Sequence, residues 1–303
     1  MTVRRAGPPG RRAASARAAN PDRARELEAS WAARVRANRE QAERVREGPA
    51  PDDFYAPVSS MFRADPQRTD DPVLDAVLAF ARPGERWLDV GAGAGRFALP
   101  LALVVDEVIA LEPSPAMRAA LTEEAAGHGI ANVRLVAEAW PPGDPALAEA
   151  VRADVVLLAN LGYDVEAIGP FLDALEAAAR RCCIAVLAEG SPVTPAYPFW
   201  PLVHGEERVV LPSLPDFRAL LAARGRAVEV TRVERMSRPY PSREAILAWL
   251  RNQLFVAAGS AADGRLVAAL EDRVVEGPDG LRLGGAAKGV VGIVCWVPPG
   301  VGR

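Results

Sequence analysis

The chain has 303 residues, half of them apolar and a quarter charged, with a mean hydropathy of +0.03. That balance excludes a wholly disordered chain, a collagen-like repeat and a disulfide-built miniature, and leaves room for one large or two small domains. The formal charge of −3 divides unevenly: residues 1–50 hold 12 Arg against 6 acids, and the remainder holds 24 basic residues against 33 acids. An acidic body argues against phosphate-backbone binding as the main activity.

In chain order, residues 1–22 carry Pro-Pro-Gly, small residues and Arg with no acid before Asp22, which reads as a disordered tail. From Ala24 the apolar residues Leu27, Trp31, Val35, Ala42 and Val45 recur at helical spacing, and Pro49 and Pro51 close that helix. Asp71-Pro72 is a cap and first position for a second helix, stopped at Pro83-Gly84. Short apolar runs then alternate with helical stretches. Strands are predicted at 86–90, 107–111, 133–137, 154–159 and 183–188, separated by helices at 96–104, 115–126, 145–152 and 168–180. The alternation implies βαβ units and a parallel sheet, with right-handed crossovers.

After Glu189 the rhythm breaks. A Pro- and aromatic-rich loop at 191–214 leads to a helix at 215–224, a strand at 227–234, helices at 242–257 and 262–273, and a final apolar run at 290–297. Such a last strand suits an antiparallel addition at the sheet edge. No window approaches the ~20 apolar residues that span a bilayer. Cys182, Cys183 and Cys295 show no CxxC spacing and read as reduced, buried thiols of a cytoplasmic protein, and no metal is expected.

The chemistry gathers where the first strand, Trp87-Leu88-Asp89-Val90, enters Gly91-Ala92-Gly93-Ala94-Gly95. Glycines at this turn let the backbone approach a ligand and start the next helix at the site. Dinucleotide-binding folds use such a turn too, but they place an apolar residue where Asp89 stands and a third glycine where Arg96 stands. Glu112, closing the second strand, is placed to accept both hydroxyls of a ribose.

An acid, one residue, GxGxG and a second acid ending the next strand is a pattern that resembles the class I S-adenosylmethionine-dependent methyltransferases. The resemblance runs from about Tyr55 to Val297. It implies a doubly wound, Rossmann-like α/β fold with a seven-stranded, mainly parallel sheet, an antiparallel last strand and an N-terminal helical lid. On that reading residues 23–82 form the arm and lid and 83–298 the catalytic domain. S-adenosylmethionine would be held by Asp89, Gly91, Gly93, Gly95 and Glu112, with Met117 and Trp140 against the adenine. Glu138 would reach its amino group and the Ala139 amide its ring edge, and Asn160 would take the methionine end.

Tyr163 and Asp164, just past the fourth strand, are candidates for the acceptor side. The stretch lacks the Asn/Asp-Pro-Pro-aromatic tetrapeptide of enzymes that methylate planar amino groups. His204, in the loop that also carries Trp200, is the candidate general base, and His128 is placed as structural. Relatives fold the segment around 54–63 over the cofactor, which would bring Tyr55 and Arg63 to the acceptor. The expected activity is in-line methyl transfer to a small molecule. An RNA methyltransferase of the same fold, or a module that binds the cofactor without turnover, are the rivals.

Overall fold

The protein is described here from a computed structural model that covers residues 18–49, 52–236, 239–277, 280–284 and 288–301. Most of the expected tail, residues 1–17, lies outside these.

The chain opens with α1 (Pro21–Val45), which starts two residues before the expected arm because Asn20 caps it through the Arg23 N–H. After a 3-10 turn at Ala56–Phe62 come α2 (Pro72–Leu78), β1 (Arg86–Val90), α3 (Ala98–Ala102), β2 (Glu107–Leu111), α4 (Pro115–Gly127) and β3 (Val133–Val136). Next are α5 (Pro145–Ala150), β4 (Ala153–Ala159), α6 (Ile168–Ala178) and β5 (Ala179–Ala188). The second part holds α7 (Trp200–His204), α8 (Leu214–Ala223), β6 (Val228–Met236), α9 (Arg243–Leu254), α10 (Ala261–Leu270), β7 (Val274–Gly277), β8 (Gly280–Leu283) and β9 (Lys288–Trp296).

Seven strands form one sheet in the order β3-β2-β1-β4-β5-β9-β6, with β9 antiparallel to both its neighbours. β1 lies between β2 and β4, so the chain winds outward one way through β3 and then returns to build the other half. A crevice at the carboxyl ends of strands follows from that reversal. The last strand was expected at the sheet edge and lies inside it instead. The reason is visible in composition: 290–297 is apolar on both faces, as an internal strand must be, whereas β6 carries Glu229, Arg232, Glu234 and Arg235 and tolerates the open edge.

Two cores cover the two faces of the sheet. One joins Leu88, Val156, Cys183, Val294 and Trp296 to α6, α8 and α1; the other joins Trp87, Val155, Ile184 and Ile293 to α2, α3 and α4. Buried Trp31 and Val35 make α1 a brace on α6 and α8, and the Trp31 indole donates to the Val165 carbonyl at 3.0 Å. α1 is therefore not a lid. All three cysteines are free, two of them buried.

A third core is separate. Phe199, Trp200 and Val203 pack with Ile246, Leu250 and Leu254 of α9, Leu266 and Leu270 of α10 and Leu283 of β8. The Pro-rich stretch predicted as a loop thus contains a 3-10 turn at Thr194–Phe199 running into α7, with Pro201 at a helix-starting position that needs no N–H. This cap, with the two-stranded β7–β8 hairpin, was not expected from the sequence.

On the α6 face, buried Glu176 accepts from Arg226 through both oxygens at 2.7 Å and from the Trp296 indole at 3.0 Å. Glu176→Ala leaves a half-buried guanidinium without its carboxylate and a buried indole N–H without an acceptor, and is expected to cost about 2–3 kcal/mol in urea unfolding.

Candidate active site

A cavity of about 1170 Å³ opens at the carboxyl end of the sheet, lined at one end by Asp89, Gly91, Gly93, Glu112, Met117 and Trp140. It exceeds the ~300–1,000 Å³ of most small-molecule pockets.

The turn after β1 is held from below and behind. Leu111 at the end of β2 accepts from the Gly91 and Ala92 N–H groups at 2.8 and 3.1 Å. Glu112, only 5 % exposed, accepts from Gly93 N–H through one oxygen and from Ser114 N–H through the other, each at 2.8 Å. Both oxygens keep a lone pair for a further donor. Burial raises the Glu112 pKa, while the Ser114 and Gly93 amides oppose that rise.

The glycines of the turn serve two different needs. Gly95 has φ +83°, and a Cβ there would meet Leu99 at 2.8 Å and Leu121 at 3.1 Å, so it is a packing glycine and does not line the cavity. Gly93 has φ +56° with nothing within 4 Å of an added Cβ, so it borders the open space of the cavity.

Asp89 is 2 % exposed and one of its oxygens has no hydrogen-bond partner. Burial and the nearby Glu112 charge push its carboxyl up to about 7. An orphaned acid lining a cavity fits a cationic ligand group. Asn160 reinforces the picture, since it holds a left-handed backbone at φ 55° as its N–H donates to Val186.

The segment 52–63 straps this end. Asp53 accepts from the Ser114 hydroxyl at 2.8 Å and from the Ala116 and Tyr55 N–H groups at 3.0 Å, at the start of α4. Burial works against its charge, but those donors hold the carboxyl below its ordinary range. Arg63 binds Glu123 and Glu124 farther along α4. Tied at both ends, the strap presents Tyr55, Met61 and Phe62 to the cavity. Burial, with the charges of Asp164, Glu112 and Asp53, pushes the Tyr55 phenol up to about 12.

Several expected site residues do other work. Arg63 is spent on α4 and does not line the cavity. His204 hydrogen-bonds the Leu254 carbonyl at 2.9 Å and packs on Trp200, tying α7 to the end of α9, while burial lowers its pKa. Trp200 is wholly buried in the cap core beneath the Arg208 guanidinium. The buried Tyr163 oxygen accepts from Ala188 N–H at 2.7 Å, and burial raises its pKa. Asp164 and Glu138 are exposed and off the cavity. Ala139 and Trp140 do line it, with the Trp140 indole 3.4 Å from the Phe171 carbonyl.

Residues that sequence reasoning missed form the other end: Phe199, Arg235, Tyr240, Trp249 and Leu283. They come from the cap and from edge strand β6, and no local motif marks them.

Because ionising Asp89 in the folded state is unfavourable, its effect on stability is absent below the unfolded carboxyl range, and stability falls as pH rises toward 7. Asp89→Asn is therefore expected to raise Tm by a few degrees at pH 8 and to change it little at pH 4, followed by calorimetry. Gly95→Ala is expected to lower Tm, whereas Gly93→Ala is expected to cost mainly ligand affinity.

Residues 88–180 match the family described as a methyltransferase domain. Over 52 residues, 17 % of this chain, the sequence is 46 % identical to the 23S rRNA (uracil(1939)-C(5))-methyltransferase RlmD of Shewanella sp. strain ANA-3, and the match takes in 12 % of that relative. Among solved structures it resembles the YcgJ protein of Bacillus subtilis, with TM-score 0.49 and 16 % identity over 75 % of this chain and 99 % of that one. It also resembles the magnesium protoporphyrin IX methyltransferase of Synechocystis PCC 6803, with TM-score 0.45 and 14 % identity over 90 % and 99 % of the two chains. Residues 88–180 thus carry a methyltransferase domain.

Proposed function

We propose that the protein transfers the methyl group of S-adenosylmethionine to a small-molecule acceptor. The observation that carries this reading is the two-ended cavity. One end has the Asp89, Gly93 and Glu112 arrangement, and the other is walled by cap side chains including Phe199, Tyr240 and Trp249.

The residues present fit the cofactor. Glu112 offers two anchored carboxylate oxygens for the ribose hydroxyls, Met117 and Trp140 offer apolar surface for the adenine, and Asp89 offers an uncompensated carboxylate for the cationic methionine end. Asn160 supplies an amide beside it. When bound, the cofactor supplies a sulfonium methyl that is already activated. The chain's task is then to hold an acceptor lone pair in line with the methyl–sulfur bond and to exclude water. The strap at 52–63 and the cap line the two ends. None of His204, Tyr163 and Asp164 lines the cavity, so positioning rather than a histidine base carries the step in this reading. The working unit is residues 83–298, with 23–82 as its arm and strap.

An RNA acceptor is the second reading, favoured by the short match to an rRNA methyltransferase. The acidic body opposes it. Among the described residues no helix is long and apolar enough to cross a membrane.

Calorimetric titration with S-adenosylhomocysteine tests the cofactor half. Glu112→Ala removes a charged acceptor and is expected to weaken binding by about 1.5–3 kcal/mol. Affinity is expected to fall as pH drops below about 7, where Asp89 takes up a proton, and Asp89→Asn should flatten that dependence. Unchanged affinity in Glu112→Ala would remove the basis for the reading. Methyl-labelled cofactor incubated with a metabolite extract and with total RNA separates the acceptors: label is expected in the small-molecule fraction, and label in RNA would move the assignment to the second reading.

A further inference from the structure

Among the described residues, the end of the cavity away from Glu112 holds a half-buried cation with no carboxylate partner. Arg235, on edge strand β6, lines the cavity, is half-buried, and has no carboxylate or hydrogen-bond partner among the described residues. The other arginines there are engaged. Arg96 is paired with Asp71, and Arg273 donates to the Ala269 carbonyl at 2.7 Å.

The sheet makes room for Arg235. Its partner on β9 is Gly289, which has no side chain and nothing within 4 Å of where one would start. One pair earlier on the same face are Val233 and Val291, and Val291 is in turn paired with Ala188 of β5. The Tyr163 oxygen accepts from that Ala188 N–H, and the Arg235 charge favours the ionised form of the same phenol. The guanidinium therefore lies within Coulombic reach of the corner where Ala188 and Asn160 face the cavity. That corner lies on the border between the cofactor end and the cap.

The uncharged polar lining includes Ser191 and Thr194, and the carboxylates that line this end, Glu189, Glu234 and Asp272, are all exposed. Water solvates them whether or not a ligand is present, so pairing them gains little. A half-buried guanidinium without a counter-ion is different. It is partly desolvated already, and a bidentate oxyanion restores what it lost. The same lining offers flat apolar surface: the ring centroids of Tyr240 and Trp249 stand 6.0 Å apart with tilted planes, and Phe199 lines the cavity as well.

Resting on the methyl-transfer reading above, we infer that the acceptor is a planar aromatic carboxylate, its anion held by Arg235 and its ring against Trp249, Tyr240 and Phe199. The anion anchors the molecule at the border and the aromatic wall sets the plane of the ring. Neither group reacts. Together they fix which atom of the acceptor faces the methyl group.

The test uses the full chain with two probes of one shape, 2-naphthoate and its neutral counterpart 2-naphthamide, titrated by calorimetry with and without saturating S-adenosylhomocysteine. Naphthoate is expected to bind at least tenfold more tightly than the amide. In Arg235→Gln the two are expected to agree within twofold, and in Arg235→Lys part of the preference should remain. Trp249→Ala is expected to weaken both probes alike. Equal affinities in the wild-type chain, no detectable naphthoate binding at millimolar concentration, or a preference that survives Arg235→Gln would each overturn the proposal. Should Arg235→Gln fail to fold, the wild-type comparison and Arg235→Lys still decide it. Failure of S-adenosylhomocysteine to bind would instead overturn the methyl-transfer reading, and the probe comparison made without it still reports on the anion site.

Discussion

Glu112 is the contact on which the rest of the site depends. Its two oxygens bind one amide from the glycine turn and one from the start of α4, so a single side chain ties the turn after β1 to the helix after β2, beyond what the strand pairing and the Leu111 carbonyl hold. A turn with a left-handed residue at Gly93 and open space beside it does not hold its own shape. It needs an acceptor from outside. Behind it, Asp71 caps α2 through the Val73 and Leu74 amides at 3.2 Å and also binds Arg68 and Arg96. Arg68 in turn donates to the Arg96 carbonyl at 2.9 Å. The helix before the sheet thus helps to position the turn that follows the first strand.

Two halves of the cavity are stabilised in different ways. The end lined by Asp89 and Glu112 is built on strand ends of one continuous sheet. The acceptor end is built on a cap with its own core of Trp200, Leu250, Leu254 and Leu266, joined to the sheet through the ends of β5, β6 and β9. A cap of this kind can change its lining without disturbing the cofactor contacts. Asp89 is buried with one oxygen unpaired, and Asn160 takes the left-handed backbone that asparagine, after glycine, adopts most readily.

Much of the fold was legible because the signal was local. The five strands through Ala188, the glycine turn and the acid closing β2 follow from runs of apolar residues and from side chains two to five positions apart. Single-residue assignments beyond the sheet were less legible. His204 and Trp200 sit in an aromatic, Pro-rich stretch that looks like a pocket wall, yet they form the inside of the cap. Arg63 looks free in the sequence, but two acids on α4 lie within reach of it in space. Tyr163 follows a strand end, as a site residue should, but its oxygen is engaged by a backbone amide. In each case the deciding partner lies about 25 to 60 residues away.

The sequence by itself determined the parallel sheet, the position of the crevice and the glycine turn with Asp89 before it and Glu112 at the end of the next strand, all of which line or border the cavity. Periodicity and turn chemistry act over a few residues, and those features need nothing more. Only the tertiary structure decided that β9 enters between β5 and β6, that the last third of the chain folds as a cap, and that Arg235 faces the cavity while His204 does not. Strand order and side-chain pairing across long loops are set by the burial of whole faces and by which charges find partners. No window of sequence contains that information.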